Sequence, residues 1–172
     1  MRLIHKLILI GLLLALGLVL HLQQGLASAW YLYAAALLLV LSHLLMGNVG
    51  QAWSALQKGD QARARKLLGE VWQPEWLLPA HRGRYYLTAG LLALHQKDLE
   101  EGRRLLERAL EIGALPELDK AVALLNLAHV QMVQGQKEVA ARLLDDAERH
   151  AGKTGPVLHQ IRKARAMLSQ NG

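Results

Sequence analysis

The chain has 172 residues, no cysteine and a formal net charge of +6, and 52% of its residues are hydrophobic. The lack of cysteine excludes disulfide-stapled folds, thiol catalysis and zinc sites with cysteine ligands. Leucine and alanine dominate the composition, which excludes a disordered chain, and β-branched residues are too sparse for a sheet. We therefore expect an all-α fold.

Charged residues are distributed very unevenly. No Lys, Arg, Asp or Glu lies between Lys6 and Lys58, whereas every acidic residue and almost every basic one follows that stretch. This division predicts an apolar segment at 1–46 joined to a charged domain at 47–172.

Two apolar runs make up the first segment, at about 4–22 and 29–46, and the polar turn Gln23-Gln24-Gly25 separates them. A run of about 20 apolar residues is long enough, as a helix, to span a bilayer. We therefore predict an anchor of two transmembrane helices. The alternative is a helical hairpin buried in a soluble core.

Arg2 and Lys6 precede the first run, and the loop between the runs carries no charge. The positive-inside rule then places both termini and the charged domain in the cytoplasm, as an integral protein of the bacterial inner membrane. Ala27-Ser28-Ala29 also fits a signal-peptide cleavage site, with cleavage after Ala29. The charged domain is cytoplasmic under either interpretation.

The charged domain contains a pattern that recurs every 38 residues, as the turns at Gly59, Lys97 and Gly135 illustrate. A small residue and then two leucines follow each turn: Ala64, Leu67 and Leu68; Gly102, Leu105 and Leu106; Ala140, Leu143 and Leu144. Small residues allow two helices to approach closely, and the leucines fill the adjacent space. The pattern predicts three helix-turn-helix repeats, at about 48–75, 81–113 and 118–151.

These repeats resemble the tetratricopeptide repeat (TPR) family. The resemblance rests on Tyr86-x₃-Gly90, on Asn126-Leu127-Ala128 and on turns such as Gly59-Asp60. It covers residues 48–151, although the period is longer than the usual length of about 34 residues. Asn48 also occupies a position where a large apolar residue is typical. The resemblance implies a short α-solenoid.

A solenoid needs a polar end cap, because its last repeat otherwise exposes an apolar flank. Residues 156–169 suit this role, since Leu158, Ile161 and Leu168 share one helical face while Arg162 and Lys163 lie elsewhere. We therefore expect a capping helix at the carboxyl end.

The first helices of such repeats line a concave groove, and here their aligned positions carry few charges. The predicted groove consists of Val49, Trp53, Leu87, Leu91, His95, Leu125, His129 and Met132. An apolar groove suits a docked helix or peptide from another protein. The alternative is that the chain fills the groove itself, with its carboxyl-terminal helix.

Other kinds of site find little support in the sequence. The eight histidines show no metal-binding spacing, and no catalytic triad, phosphate loop or paired carboxylates can be placed. We therefore predict no enzyme activity, metal, cofactor or small-molecule substrate. Arg63, Arg65 and Lys66 form a basic cluster that would suit lipid headgroups of the bilayer. Nucleic acid is disfavoured because acidic residues are interspersed with the basic ones.

Together these observations predict a membrane-anchored TPR-type adaptor or assembly scaffold that binds a segment of another protein in its groove. The alternative is an integral structural subunit of a larger membrane complex, in which the repeats only rigidify the assembly.

Overall fold

The computed structural model describes the backbone of residues 3–170, and their side chains except those of 3, 4, 6, 7, 42–44 and 46. All regular structure in this part of the chain is helical, with no β-strand. The prediction of an all-α fold is therefore confirmed. Arg2, which contributed to the predicted orientation, lies outside the described residues.

The regular structure of the described residues consists of nine α-helices and two short 3₁₀ helices, at Leu26–Ser28 and Pro74–Trp76. The α-helices are α1 (Leu3–Gln24), α2 (Trp30–Met46), α3 (Val49–Gln57), α4 (Gln61–Gly69), α5 (Pro79–His95), α6 (Leu99–Glu111), α7 (Glu117–Val133), α8 (Lys137–His150) and α9 (Pro156–Gln170). The chain forms two compact units, Met1–Gly47 and Asn48–Gly172.

In the first unit α1 and α2 pack together through small residues. Gly17 lies against the ring of Tyr33, and Ala29 and Ala36 are buried. The larger apolar side chains of this pair are mostly exposed, among them Ile8, Leu12, Leu18, Leu22, Leu37 and Leu38. The unit therefore buries alanine and glycine and leaves much of its leucine uncovered.

Within the described part of the chain, no helix combines the length and the apolar character that crossing a membrane requires. Helix α2 has 17 residues, about 25 Å, against a hydrocarbon core of about 30 Å. In α1 the uninterrupted apolar sequence runs from Leu7 to Leu20 and ends at His21, about 14 residues where about 20 are needed. The prediction of an integral membrane protein with spans at 4–22 and 29–46 is therefore wrong. The predicted cytoplasmic placement was derived from those spans, so it is wrong as well.

The second unit consists of three helical hairpins, α3/α4, α5/α6 and α7/α8, followed by α9. The hairpin turns at Gly59, Lys97 and Gly135 all adopt positive φ, at 80°, 66° and 77°. After the first two turns, Asp60 and Asp98 each accept a hydrogen bond from a backbone N–H three residues ahead. The turn that recurs in the sequence therefore has a similar backbone conformation at its central residue in all three hairpins.

Leucines on the second helix of each hairpin form the centre of the core. Leu68, Leu106 and Leu144 are buried, each in a different one of three successive hydrophobic clusters. Helix α9 closes the last cluster, because Leu158 and Ile161 pack with residues of α7 and α8. This repeat-like arrangement of hairpins is consistent with an α-solenoid.

Candidate protein-interaction surface

The eight predicted groove residues differ widely in exposure. Val49 and Leu87 are fully buried and Leu125 is 3% exposed, so these three belong to the interior of the second unit. His95 and His129 are exposed. The predicted groove is therefore not one continuous open surface.

Trp53, Leu91 and Met132 are intermediate in exposure. Trp53 and Leu91 each pack against two hydrophobic clusters, one centred on the first hairpin and one shared by the second and third. These two side chains join successive hairpins, and only part of each remains open to a partner.

An open cleft of about 350 Å³ lies between α7 and α9. It combines three apolar side chains with polar ones, and its lining is Leu125, Asn126, His129, Gln160, Lys163, Ala164 and Met167. The cleft brings together two predicted groove residues, Leu125 and His129, and adds an α9 wall that the groove prediction did not include. The signal for that wall was present in the sequence, since Gln160, Lys163, Ala164 and Met167 follow helical i, i+3, i+4, i+7 spacing.

Helix α9 accounts for the burial of Leu125. Leu125 packs in one cluster with Leu158, Ile161 and Ala164 of α9. The helix thus covers part of the α7 face, yet it leaves the cleft beside His129 open. Leu125 and Ala164 are 3% and 2% exposed, so Met167, at 44%, contributes most of the apolar surface that remains open in this cleft.

Lys163 is the one residue with a permanent charge in the lining of this cleft. Burial lowers the pKa of His129, so its imidazole is neutral near pH 7 although one side of the residue remains open. The amide of Asn126 donates a hydrogen bond of 2.8 Å to the backbone oxygen of Val122, which fixes its position on α7. The cleft is therefore apolar at its floor and positive at its rim.

A second open cleft, of about 400 Å³, lies between α4, α5 and α6. The apolar lining includes Leu68, and the polar groups come from Arg65, Tyr85, Gln96, Asp98 and Glu101. Burial raises the pKa of the Tyr85 hydroxyl, which stays protonated. The lining of this cleft therefore contains charges of both signs.

The structure spreads the predicted basic cluster over different sides of α4. Arg65 lines the cleft shared with α5 and α6, whereas Arg63 lines a smaller one within the first hairpin. Lys66 is exposed and lines neither of these clefts. Contact of these three residues with lipid headgroups stays a prediction.

Among the described residues, no group of three or more His, Cys, Asp or Glu side chains is arranged to hold a metal ion. His95 and His129, the two histidines of the predicted groove, lie on α5 and α7, and neither of the two larger clefts is lined by both.

The chain matches no protein-family model, no curated protein and no solved structure.

Proposed function

We propose that the chain is a TPR-type helical-repeat scaffold that binds a helix or peptide segment of another protein. The observation that carries this proposal is the open cleft between α7 and α9, where Met167 is exposed beside the nearly buried Leu125 and Ala164. An apolar cleft on a rigid stack of helices is a common way to receive the apolar face of an amphipathic segment.

The packing of the second unit supports a scaffold. Its core is continuous from α3 to α9, since residues such as Leu91 and Leu143 each contact more than one hydrophobic cluster. A cleft between such helices keeps its shape before binding, so less conformational entropy is lost when a partner docks.

A second candidate is a structural subunit of a larger assembly, in which the repeats only add rigidity. The exposed leucines of α1 and α2 favour it, because a monomeric protein rarely exposes an apolar surface of this extent. The two candidates differ in which surface the partner contacts.

Site-specific photo-crosslinking of the full chain in its native cells separates them. A photoreactive residue at Met167 or His129 is compared with one at Arg104 or Arg142, which are exposed and lie outside this cleft. The scaffold predicts that one defined protein crosslinks from the cleft positions and not from the two controls. Crosslinks that arise only from Leu12 and Leu38 would support the structural subunit instead.

The captured protein is then purified and titrated against the full chain. We expect Met167→Glu to weaken its binding at least tenfold, because the substitution puts a charge in place of the main apolar side chain that the cleft exposes. Met167 is 44% exposed, so the thermal unfolding midpoint should change little. Equal binding by the variant and the original chain would contradict the proposal.

A further inference from the structure

One side of the hairpin formed by α1 and α2 consists of large apolar side chains that nothing covers. Gly17 lies against the ring of Tyr33 and Ala36 is buried, so these residues mark where the two helices meet. Leu18 and Leu37 come one residue later, and each is turned by about 100° in the same rotational sense away from that contact. Because the short connection at 25–29 makes the two helices antiparallel, both leucines lie on the same side of the hairpin. We call this side the hairpin face, and its residues, which are 40–79% exposed, are Leu14, Leu18, Leu22, Trp30, Leu37 and Leu41.

The first unit has no apolar core of its own to which these side chains belong. Among its described residues, only Gly17, Ala29 and Ala36 are buried, whereas the three hydrophobic clusters consist of residues of the second unit. The exposed large side chains of the hairpin together leave on the order of 1,000 Å² of apolar surface uncovered. The largest apolar patch of a typical monomer is about 300–600 Å², and a standard interface buries about 800 Å² on each partner. The hairpin therefore carries enough apolar surface for a stable interface.

The absence of charge indicates which partner this surface suits. No Lys, Arg, Asp or Glu lies between Lys6 and Lys58. In a twofold interface between identical chains, residues near the axis face their own counterparts, so a charged group there would meet a like charge. The hairpin face avoids this repulsion, and it offers no charge that would select a different protein. The same hairpin on a second copy matches it in polarity, in length and in the number of helices.

We infer that two copies of the chain associate through their hairpin faces, and that α1 and α2 of both copies form a four-helix bundle. The leucines of one hairpin then fill the space between the leucines of the other. The inference goes beyond the proposed function, because a dimer carries two clefts between α7 and α9. A scaffold of this kind binds two partner segments at once, so a multivalent partner is bound with higher avidity than one cleft provides.

The mass of the full chain in solution tests the inference. Size-exclusion chromatography with multi-angle light scattering compares the original chain with Leu18→Glu and Leu37→Glu at the same concentration. Leu118→Glu is the matched control, because Leu118 is 52% exposed on α7 in the second unit. We expect the mass of two copies for the original chain and for the control. The two hairpin variants should have the mass of one copy, since each would bury a carboxylate in an apolar interface.

Engineered cysteines keep the test decisive if a glutamate unfolds the hairpin. The chain contains no cysteine, so a single introduced cysteine can form a disulfide only with its counterpart in another copy. Leu14→Cys, Leu18→Cys, Leu37→Cys and Leu41→Cys are each compared with Leu118→Cys under mild oxidation. A disulfide requires two Cα atoms within about 7 Å of each other. We therefore expect the hairpin position nearest the twofold axis to give at least tenfold more linked dimer than Leu118→Cys.

A monomeric mass for the original chain overturns the inference, whichever other occupant the hairpin face then has. Phosphatidylcholine vesicles and the photo-crosslinked partner are added separately to the monomer to identify that occupant. A dimeric mass that persists in both glutamate variants, together with cysteine variants that link no better than Leu118→Cys, also overturns it. The scaffold proposal is tested at Met167 and His129 in the second unit, so it stands or falls independently of these results.

Discussion

The second and third hairpins share one repeat pattern, but the small residues at which the two helices of each hairpin contact each other differ. Helices α5 and α6 face each other with Gly90 and Gly102, whereas α7 and α8 have Ala128 and Ala140 at the corresponding positions. Both alanines are fully buried. A Cβ atom added at Gly102 would overlap the Leu94 side chain and lie 3.3 Å from the backbone oxygen of Gly90.

The comparison teaches that a repeat in the sequence identifies which positions must be small, and that local packing then decides how small. Alignment with Ala64 and Ala140 predicts that alanine is tolerated at Gly102. The contact with Leu94 reverses this expectation. The backbones of α5 and α6 approach so closely that even one methyl group requires a neighbour to move.

The largest effect is expected for the leucines at the centre of these two hairpins. Leu106 and Leu144 are both fully buried at equivalent positions, so replacing either by alanine should lower the free energy of unfolding by about 2–5 kcal/mol. Urea denaturation followed by circular dichroism measures this. Leu118→Ala on α7, where the side chain is 52% exposed, provides the control. A loss at Leu144 as small as that at Leu118 would show that the hairpins are not equivalent.

The next largest effect concerns the ion pair that links the second hairpin to the third. Arg84 binds Asp119 through two nitrogens, at 2.8 and 2.6 Å, and the Asp119 side chain is only 8% exposed. Arg84→Met leaves this carboxylate without its donors and should lower the free energy of unfolding by about 1–3 kcal/mol.

The repeat pattern suggests a double substitution that should restore the stability lost when the ion pair is broken. One repeat later, the positions of Arg84 and Asp119 are occupied by Val122 and Val157, both of which pack against the core. The double variant Arg84→Val with Asp119→Val should therefore recover most of the stability, because no unpaired charge remains. A double variant as unstable as Arg84→Met alone would show that the ion pair has no apolar equivalent.

A smaller effect is expected at the glycines. Gly102→Ala should lower the free energy of unfolding by about 1 kcal/mol, since the displacement of Leu94 outweighs the gain in helix propensity. Gly69→Ala serves as the matched control, because a Cβ there meets nothing within 4 Å. That control should raise stability by about 0.5 kcal/mol. Equal gains at both glycines in thermal melts would remove the distinction between the two hairpins.

Much of the second unit was predictable because it depends on local sequence. The turns at Gly59, Lys97 and Gly135 and the buried Leu106 and Leu144 follow from residue type and spacing. The groove was less predictable, because the burial of a residue depends on which helix docks against it. Leu125 appears open in the sequence pattern but is covered by α9. The prediction of a membrane anchor was wrong because it was based on composition. The apolar parts of the helices are shorter than the spans that composition suggested.

The smallest predicted effect is a pH dependence in the third hairpin. Burial lowers the pKa of His129, so the unfolded chain binds a proton there more readily than the folded one. Stability should therefore fall as the pH drops below the unfolded value of about 6.5. His129→Gln should flatten this part of the profile of unfolding free energy between pH 5 and pH 7, whereas His95→Gln on the second hairpin provides the comparison. Identical slopes for both variants would contradict the assignment.

The central claim is that partners bind in the cleft between α7 and α9. Amide hydrogen exchange on the full chain, with and without the crosslinked partner, tests it most directly. We predict slower exchange on binding in the carboxyl-terminal half of α7 and in α9, and no change in α6. Protection confined to α1 and α2, or spread over α6, would contradict the claim.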